Sequence, residues 1–386
     1  MNRKSEFLKF KIPFNKPHLT HKEMGYISHA HAIGQLSGDG FYTKKCHLWL
    51  EKNLDTKKAL LTHSCTAAME IMAILINIKA GDEVIMPSFT FSSTANAIVL
   101  RGGVPVFVDI RPDTLNLDEK LIEKAITPQT KAIFVVHYGG VSCEMNKILQ
   151  IAKNHNLYVL EDAAQGFLAK YNDKYLGTIG DMGAYSFHET KNIISGEGGA
   201  LLINNPMFIE RAEIIREKGT NREQFFRGEV DKYTWVDIGS SYLPGEMIAA
   251  FLMAQFEKVK EITNRRIKIW NNYHKSFKNL EEKGLLRRPI IPKNVEYNGH
   301  LYYLILKSLK MRDSIIKYLK KRSILAIFHY IPLHSSPAGK KYGRFIGDMS
   351  ITNKTTDTIV RLPLFFDMTD SEVKYVVQSV KDFFKK

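Results

Sequence analysis

Between residues 59 and 203 the chain alternates short apolar runs with stretches whose apolar residues recur every three or four positions. No other feature limits the fold as much. The runs at 59–61, 83–86, 104–109, 131–137 and 157–161 read as strands, as do 183–187 and 199–203. The segments 67–78, 92–101, 118–126 and 144–155 read as helices, the first opened by Ser64-Cys65-Thr66 and stopped by Gly81. Strand–helix–strand units cross over with one hand, so this part of the chain predicts an α/β fold around a mostly parallel sheet covered on both faces.

Sheets of that kind bind ligands where the carboxyl ends of the strands lead into helices. Polar and aromatic residues of chemical interest fall at these junctions: Ser64, Cys65 and Thr66, then Phe91, then Asp162 and Gln165, then Ser186, His188 and Lys191. Four segments far apart in sequence are thereby expected at one edge of the sheet.

The rest of the chain reads more coarsely. Up to about His18 it carries Pro13 and Pro17 and little periodicity, as expected of an arm lying on another part of the molecule. A helix is expected from 206 to about 218. The polar stretch 219–233 follows, with Arg222, Phe225, Phe226 and Arg227, a loop long enough to suggest an interface or a binding role. From 246 to 282 there is neither proline nor glycine, which reads as one long linking helix or two in sequence. Strand-like 301–306, helical 313–321 and strand-like 325–330 form a smaller α+β lobe. At 386 residues the chain exceeds the usual size of one core, and the division expected is a large domain over 1–250, with the arm, and the linking helix and small domain over 251–386.

Three cysteines, Cys46, Cys65 and Cys143, at wide spacings argue against a disulfide framework and against a zinc cage; no metal site is expected. The residues after Met1 hold no secretory apolar core, and no run is long enough to span a bilayer, so a soluble, cytoplasmic protein is expected. A net charge of +15 would suit nucleic acid, an anionic surface or an anionic small substrate, but the lysines are scattered and no helix-turn-helix or basic arm is visible.

Lys191 sits in a polar, glycine-containing loop between two strand-like runs. A lysine amine can form a Schiff base with a carbonyl, and pyridoxal phosphate is the cofactor that rests on one. That chemistry also needs a carboxylate for the pyridine nitrogen, donors for a phosphate and an aromatic over the ring. Asp162 at a strand end, Ser64-Cys65-Thr66 at a helix start and Phe91 are of the right types. Taken alone the tripeptide is equally an ordinary helix cap, and a lone Phe such as Phe91 is more often a core residue.

Ser-Cys-Thr-Ala-Ala at 64–68, Pro-Ser-Phe-Thr-Phe at 87–91, Glu-Asp-Ala-Ala-Gln at 161–165, Ser-Phe-His-Glu-Thr-Lys-Asn at 186–192 and Gly-Glu-Gly-Gly at 196–199 resemble, in that order and at similar spacing, motifs of the DegT/DnrJ/EryC1/StrS sugar aminotransferases. The resemblance runs over nearly the whole chain. The segments 216–222, 237–243 and 328–334 look most like those members that aminate C4 of TDP-4-keto-6-deoxyglucose for surface-glycan precursors. The resemblance implies a fold-type I pyridoxal-phosphate enzyme of the aspartate-aminotransferase type. It also implies L-glutamate as amine donor, a nucleotide-linked keto-sugar as acceptor, and a homodimer in which each site is completed by the neighbouring chain.

Carried over position by position, the resemblance makes Lys191 the Schiff-base lysine and proton carrier and Asp162 the partner of the pyridine nitrogen. Gln165 would meet the ring hydroxyl and Phe91 would stack, while Ser64, Cys65, Thr66 and Ser186 would hold the phosphate. Where many relatives have Asn-Tyr-Arg this chain has Ser241-Tyr242-Leu243, so the phosphate contact from the second subunit would fall to Ser241. Arg222 and Arg227 are expected at the diphosphate, or else as solvated loop charges. His188, His329, Tyr330 and His334 are expected at the sugar, or else as packed loop residues. A sugar dehydratase on the same scaffold would carry histidine at position 191, which here is Lys; other regiochemistry of amination, or a nucleic-acid-binding role, are the remaining rivals.

Overall fold

The computed structural model describes residues 10–385; the segment 1–9, where no secretory core was read, lies outside the described residues. Its centre is an eight-stranded sheet built from β1 (Lys58–Thr62), β2 (Glu83–Pro87), β3 (Val104–Val108), β4 (Thr130–Val136), β5 (Tyr158–Asp162), β6 (Met182–Ser186), β7 (Gly199–Ile203) and β9 (Arg344–Phe345), in the order β1-β7-β6-β5-β4-β2-β3-β9. Every pairing is parallel except the two made by β7, which runs against both β1 and β6. The reason is local: no helix separates β6 from β7, and without a crossover the chain can only return antiparallel.

Successive residues of the strands enter different cores, as pleating requires. Leu60, Met86 and Phe134 pack with Met69, Met72 and Leu75 of α3 (Cys65–Leu75). Leu61, Ile85 and Val135 pack on the other face with Leu50 of α2 (Phe41–Leu54), Ile148 of α5 (Met145–His155) and Ala249 and Ala250 of α7 (Glu246–Phe256). Each such aliphatic side chain contributes about 1.5–3 kcal/mol by leaving water. α4 (Ser92–Val99) and α6 (Ile209–Arg216) complete the cover beside α3, and α1 (Glu23–Ile33) lies against α7.

A buried carboxylate locks two of these helices together. Glu246, at the start of α7, accepts hydrogen bonds from the backbone N–H groups of Gly40, Tyr42 and Thr43 and from the Thr43 hydroxyl. It thus fills the donors that the first turn of α2 leaves open and sits at the positive end of that helix dipole.

The smaller lobe has a two-stranded antiparallel sheet of β8 (Tyr302–Ile305) and β10 (Ile359–Leu362), in which Tyr303 faces Arg361. Around it pack α8 (Val259–Ser276), α9 (Leu309–Lys321) and α10 (Asp370–Phe383), through Tyr273, Leu319, Val376 and Val380. Ile12, in the segment expected to lie as an arm on another part of the molecule, is buried in this core and bonded through its backbone to Ser323 and Leu325 at 3.0 Å each.

Three stretches differ from the expectation. The stretch 246–282 forms neither one helix nor two but α7, α8 and a short helix Lys278–Glu282. α7 spends its apolar face on the large core, where Phe256 stacks on Trp49 at 4.3 Å, while Ile269, Trp270 and Tyr273 of α8 serve the small core. The chain must change direction between them, and no glycine or proline announces it. Within the loop read at 219–233, Arg222–Phe226 is helical. The run 325–330 makes an isolated bridge, Ile327 to Arg361, and then diverges to bring His329 and Tyr330 to the large sheet.

Candidate active site

Strand register builds the floor. Thr62, Gly199 and Ser186 stand side by side at one end of β1, β7 and β6, and Ala184 stands beside Asp162 on β5. A Cβ on Gly199 would lie 2.4 Å from the Cys65 nitrogen, so only glycine lets β7 start this close to the first turn of α3. Ser64 caps that helix, its Oγ accepting from Ala67 N at 3.0 Å. The N–H groups of Cys65 and Thr66 belong to the first turn, which has no intrahelical acceptors for them, at the positive end of the dipole. Thr66 Oγ1 donates to Ser93 Oγ at 2.8 Å, which draws the start of α4 alongside. Phe91, immediately before α4, is 60 % exposed.

Asp162 is buried and pinned on both oxygens: Oδ2 accepts from Thr94 Oγ1 at 2.7 Å and Oδ1 from Ala164 N at 3.1 Å. The strand beneath is stiffened by Glu161, fully buried, which accepts from His137 Nε2 at 2.8 Å and from the backbone of Gly177, Ile179 and Gly180. Gln165 is oriented by Gly139 N, which donates to its Oε1 at 2.7 Å, and its Nε2 donates to Tyr330 Oη at 3.0 Å.

Lys191 is half-buried, set in a recess where little water solvates it, and burial pushes its amine below the usual lysine range. Cys65 and Asp162 oppose that shift and Arg361 reinforces it. Lys191, Cys65, Asp162 and Arg361 are therefore within electrostatic reach of one another. The Cys65 thiol is held far above its ordinary range, by burial first and Asp162 second. The Tyr330 hydroxyl is raised by burial, and it too senses Asp162.

The small lobe supplies the facing wall. His329 Nδ1 lies 3.0 Å from the Tyr138 hydroxyl, and His300 Nδ1 lies 3.0 Å from Asn192 Oδ1, next to Lys191 in the chain. Burial lowers both imidazoles well below their usual value, aided by the charges of Lys191 and Arg361, which disfavours protonation of either ring. His300, Tyr138, Thr94 and Arg361 were not singled out from the sequence. None sits in a motif, and their meeting depends on β8, β10 and the β4–α5 connection closing on one another.

Other sequence-selected residues lie elsewhere. His334 is buried against Ser88, its Nδ1 2.7 Å from that hydroxyl, in a packing contact. His188 is paired within its own loop, 2.9 Å from Thr190 Oγ1 and 3.6 Å from Glu197. Arg222 meets Glu217 at 3.1 Å, while Arg227 meets Glu213 at 2.9 Å and Glu229 at 2.7 Å. Ser241 is exposed and bridged to Glu217. In one chain these three belong to a separate, outward-facing segment.

The donor set suits a phosphorylated pyridine. An open helix start with Thr66 and Ser186 nearby offers N–H and hydroxyl donors to a phosphate dianion, Asp162 offers a fixed carboxylate to a ring nitrogen, and Lys191 offers a partly desolvated amine.

Residues 17–381 match the model of the DegT/DnrJ/EryC1/StrS aminotransferase family. The chain is 32 % identical over 385 residues to the spore coat polysaccharide biosynthesis protein SpsC of Bacillus subtilis, covering 97 % of each chain. It is 29 % identical over 378 residues to GDP-perosamine synthase of Escherichia coli O157:H7, covering 97 % of this chain and 98 % of that one. The fold superposes on the PMP form of Spr1654, a candidate sugar aminotransferase of Streptococcus pneumoniae, with a TM-score of 0.90 and 25 % identity, over 97 % and 99 % of the two chains. Among the described residues no helix is long and apolar enough to cross a membrane.

Proposed function

The chain belongs to the DegT/DnrJ/EryC1/StrS aminotransferase family, and from that premise we propose that it is a pyridoxal-phosphate-dependent enzyme carrying the amino group of L-glutamate to C4 of a nucleotide-linked keto-sugar, TDP-4-keto-6-deoxyglucose. The observation that carries the chemistry is the meeting of Lys191, Asp162 and the open start of α3 at one end of the sheet. The C4 position and the TDP carrier rest on the likeness of segments 216–222, 237–243 and 328–334 to enzymes of that activity.

When bound, pyridoxal phosphate supplies an electron-withdrawing ring that makes an amino acid's α-proton removable and carries its amine to a ketone. Lys191 would anchor that group, and its Nζ would take and return the proton; burial lowers its pKa, which favours the free amine. Asp162 holds the proton on the ring nitrogen, and Thr94 and Ala164 N–H hold Asp162. Cys65 and Thr66 at the α3 start, with Ser186, take the phosphate, and Gln165 meets the ring hydroxyl. Phe91, exposed at the rim, covers the ring. His329 and Tyr330 face the sugar from the small lobe.

A homodimer accounts for what one chain leaves open. Phe226, Tyr233, Trp235 and Val236 are largely exposed on the segment that bears Arg222, Arg227 and Ser241. In the dimer Ser241 of the partner subunit reaches the phosphate, and the two arginines, re-paired, receive the diphosphate. A nucleotide-sugar substrate places the enzyme in the cytoplasm.

A second reading, favoured by the likeness to GDP-perosamine synthase, keeps the chemistry and changes the nucleotide to GDP. Purified protein incubated with glutamate and each keto-sugar, with the amino-sugar identified by NMR, decides between them. Borohydride should fix the cofactor on Lys191, and a Lys191→Ala protein that still aminates the sugar would sink the mechanism.

A further inference from the structure

We propose that the outer side of α9 is a docking surface for a bilayer rich in anionic phospholipid, which it meets through a stripe of unpaired lysines.

The net charge of +15 is not spread over the chain. Residues 1–258 hold 29 Lys and Arg against 29 Asp and Glu, whereas residues 259–386, from the start of α8 onward, hold 26 against 11. The whole excess belongs to the last third of the chain, so a uniform preference for lysine does not explain it. α9 concentrates it. Lys310, Lys317 and Lys321 are spaced by seven and four residues, which puts them on one stripe of the helix, turned away from the buried Ile315 and Leu319. All three are exposed, as are Lys307 just before the helix and Lys320 in its last turn. Among the described residues none of these five lysines is in an ion pair; the neighbouring acids are held by arginines, Asp313 by Arg312 at 2.9 Å and Asp382 by Arg322 at 3.8 Å. Lys320 and Lys321 suit the negative end of the helix dipole. Lys310 does not, because it stands in the first turn, where the dipole opposes a cation and no acid is present. Helix stability therefore does not account for the stripe.

The chemistry of the surface says which polyanion it fits. Both arginines at this helix are tied to their own chain: Arg312 lies 5.1 Å from the Phe328 ring and donates to Thr356 O at 3.2 Å, and Arg322 lies 4.7 Å from the Tyr318 ring. The cations left to face outward are lysines, compact charges without the planar fork that fixes a phosphate or reads a base edge. No exposed residue of α9 is aromatic, so none offers a ring on which a base could stack. The cationic surface continues past the end of the helix, where Tyr375 of α10 donates to Arg322 O at 3.3 Å and Lys11 Nζ lies 5.2 Å from the Tyr375 ring. Such a face attracts anions without fixing their register. That suits the mobile headgroups of a fluid anionic bilayer, where each lysine near the surface adds to the attraction, better than it suits a nucleic acid.

The test sediments the full-length protein with vesicles of phosphatidylglycerol and phosphatidylcholine in equal parts, or of phosphatidylcholine alone. Wild type is compared with the triple variant Lys310→Gln, Lys317→Gln, Lys321→Gln. A second triple variant, Lys79→Gln, Lys131→Gln, Lys153→Gln, removes the same charge from exposed positions of the large domain. Wild type is expected to sediment with the mixed vesicles, to stay in solution with phosphatidylcholine alone, and to be released as salt rises. The α9 variant should bind the mixed vesicles about 100-fold more weakly, the large-domain variant should bind as wild type does, and the melting temperature should be the same for all. A wild type that ignores the mixed vesicles, or binds phosphatidylcholine equally well, overturns the proposal. So does an α9 variant that binds as wild type, or a large-domain variant that loses as much. Tighter binding of wild type to a short DNA duplex than to mixed vesicles, at equal concentrations of anionic groups, would assign the surface to nucleic acid and overturn it as well.

Discussion

The recess around Lys191 and the outward segment 219–243 are both rich in polar and aromatic residues, yet they are built in opposite ways. In the recess Asp162, Gln165 and Ser64 each have partners within the chain, and the surrounding backbone is fixed by strand register. In the segment Arg222 is paired with Glu217 and Arg227 with Glu213 and Glu229, while the apolar side chains are left out: Trp235 is 76 % exposed. One region holds its polar side chains in place with partners from its own chain. The other leaves a group of large apolar side chains in water, the kind of surface that the proposed homodimer would cover.

Substitutions that break the recess should act on chemistry and leave assembly alone. Lys191→Ala should reduce amine transfer by about 10³-fold or more, abolish borohydride labelling, and leave the sedimentation behaviour unchanged. Asp162→Asn, which keeps the shape and removes the charge opposite the ring nitrogen, should cost roughly 100-fold in kcat, measured in steady state at saturating cofactor; parity with wild type would remove Asp162 from the mechanism.

The segment should respond in the reverse order. Phe226→Glu with Trp235→Glu should weaken self-association by roughly two orders of magnitude, seen in sedimentation equilibrium as a shift from two chains to one, with activity falling in step with the dimer fraction. An unchanged mass would show that this patch is not the interface. Arg222→Ala or Arg227→Ala should be milder, raising the keto-sugar KM by about tenfold or less at constant kcat, because each guanidinium is partly exposed and solvent screens its charge.

The smallest effect lies outside both regions and serves as a control on the scaffold. His47 sits beneath β1 and accepts from Leu61 N at 2.8 Å, and burial lowers its pKa from 6.5 to about 3. The folded protein keeps it neutral while the unfolded chain takes up a proton, so its contribution is intact above pH 6.5 and drains away as pH falls towards 3. The slope is at most about 1.4 kcal/mol per pH unit. His47→Gln should flatten the acid limb of denaturant-determined stability without moving the pH dependence of kcat.

Much of the recess was legible in the sequence because its parts lie at the ends of short strands whose periodicity is local. Lys191, Asp162 and the Ser64–Thr66 start are all of this kind, and the α/β sheet that gathers them follows from the same pattern. Phe91 and Ser241 were legible as positions only. Each is exposed in the single chain, so packing within the chain assigns it no role.

The sequence by itself determined the sheet, its helical cover and the lysine at its edge, since side chains three or four apart, or alternating, already declare which face is buried. Tertiary structure alone decided the break between α7 and α8, where one run of helix formers serves two cores, and the wall facing Lys191. Arg361, His300 and Tyr138 come from three elements, and no local rule marks a lone arginine in Ile-Val-Arg-Leu as different from any other. That its charge acts on Lys191 and on the His300 and His329 rings is decided only when the two lobes close on each other.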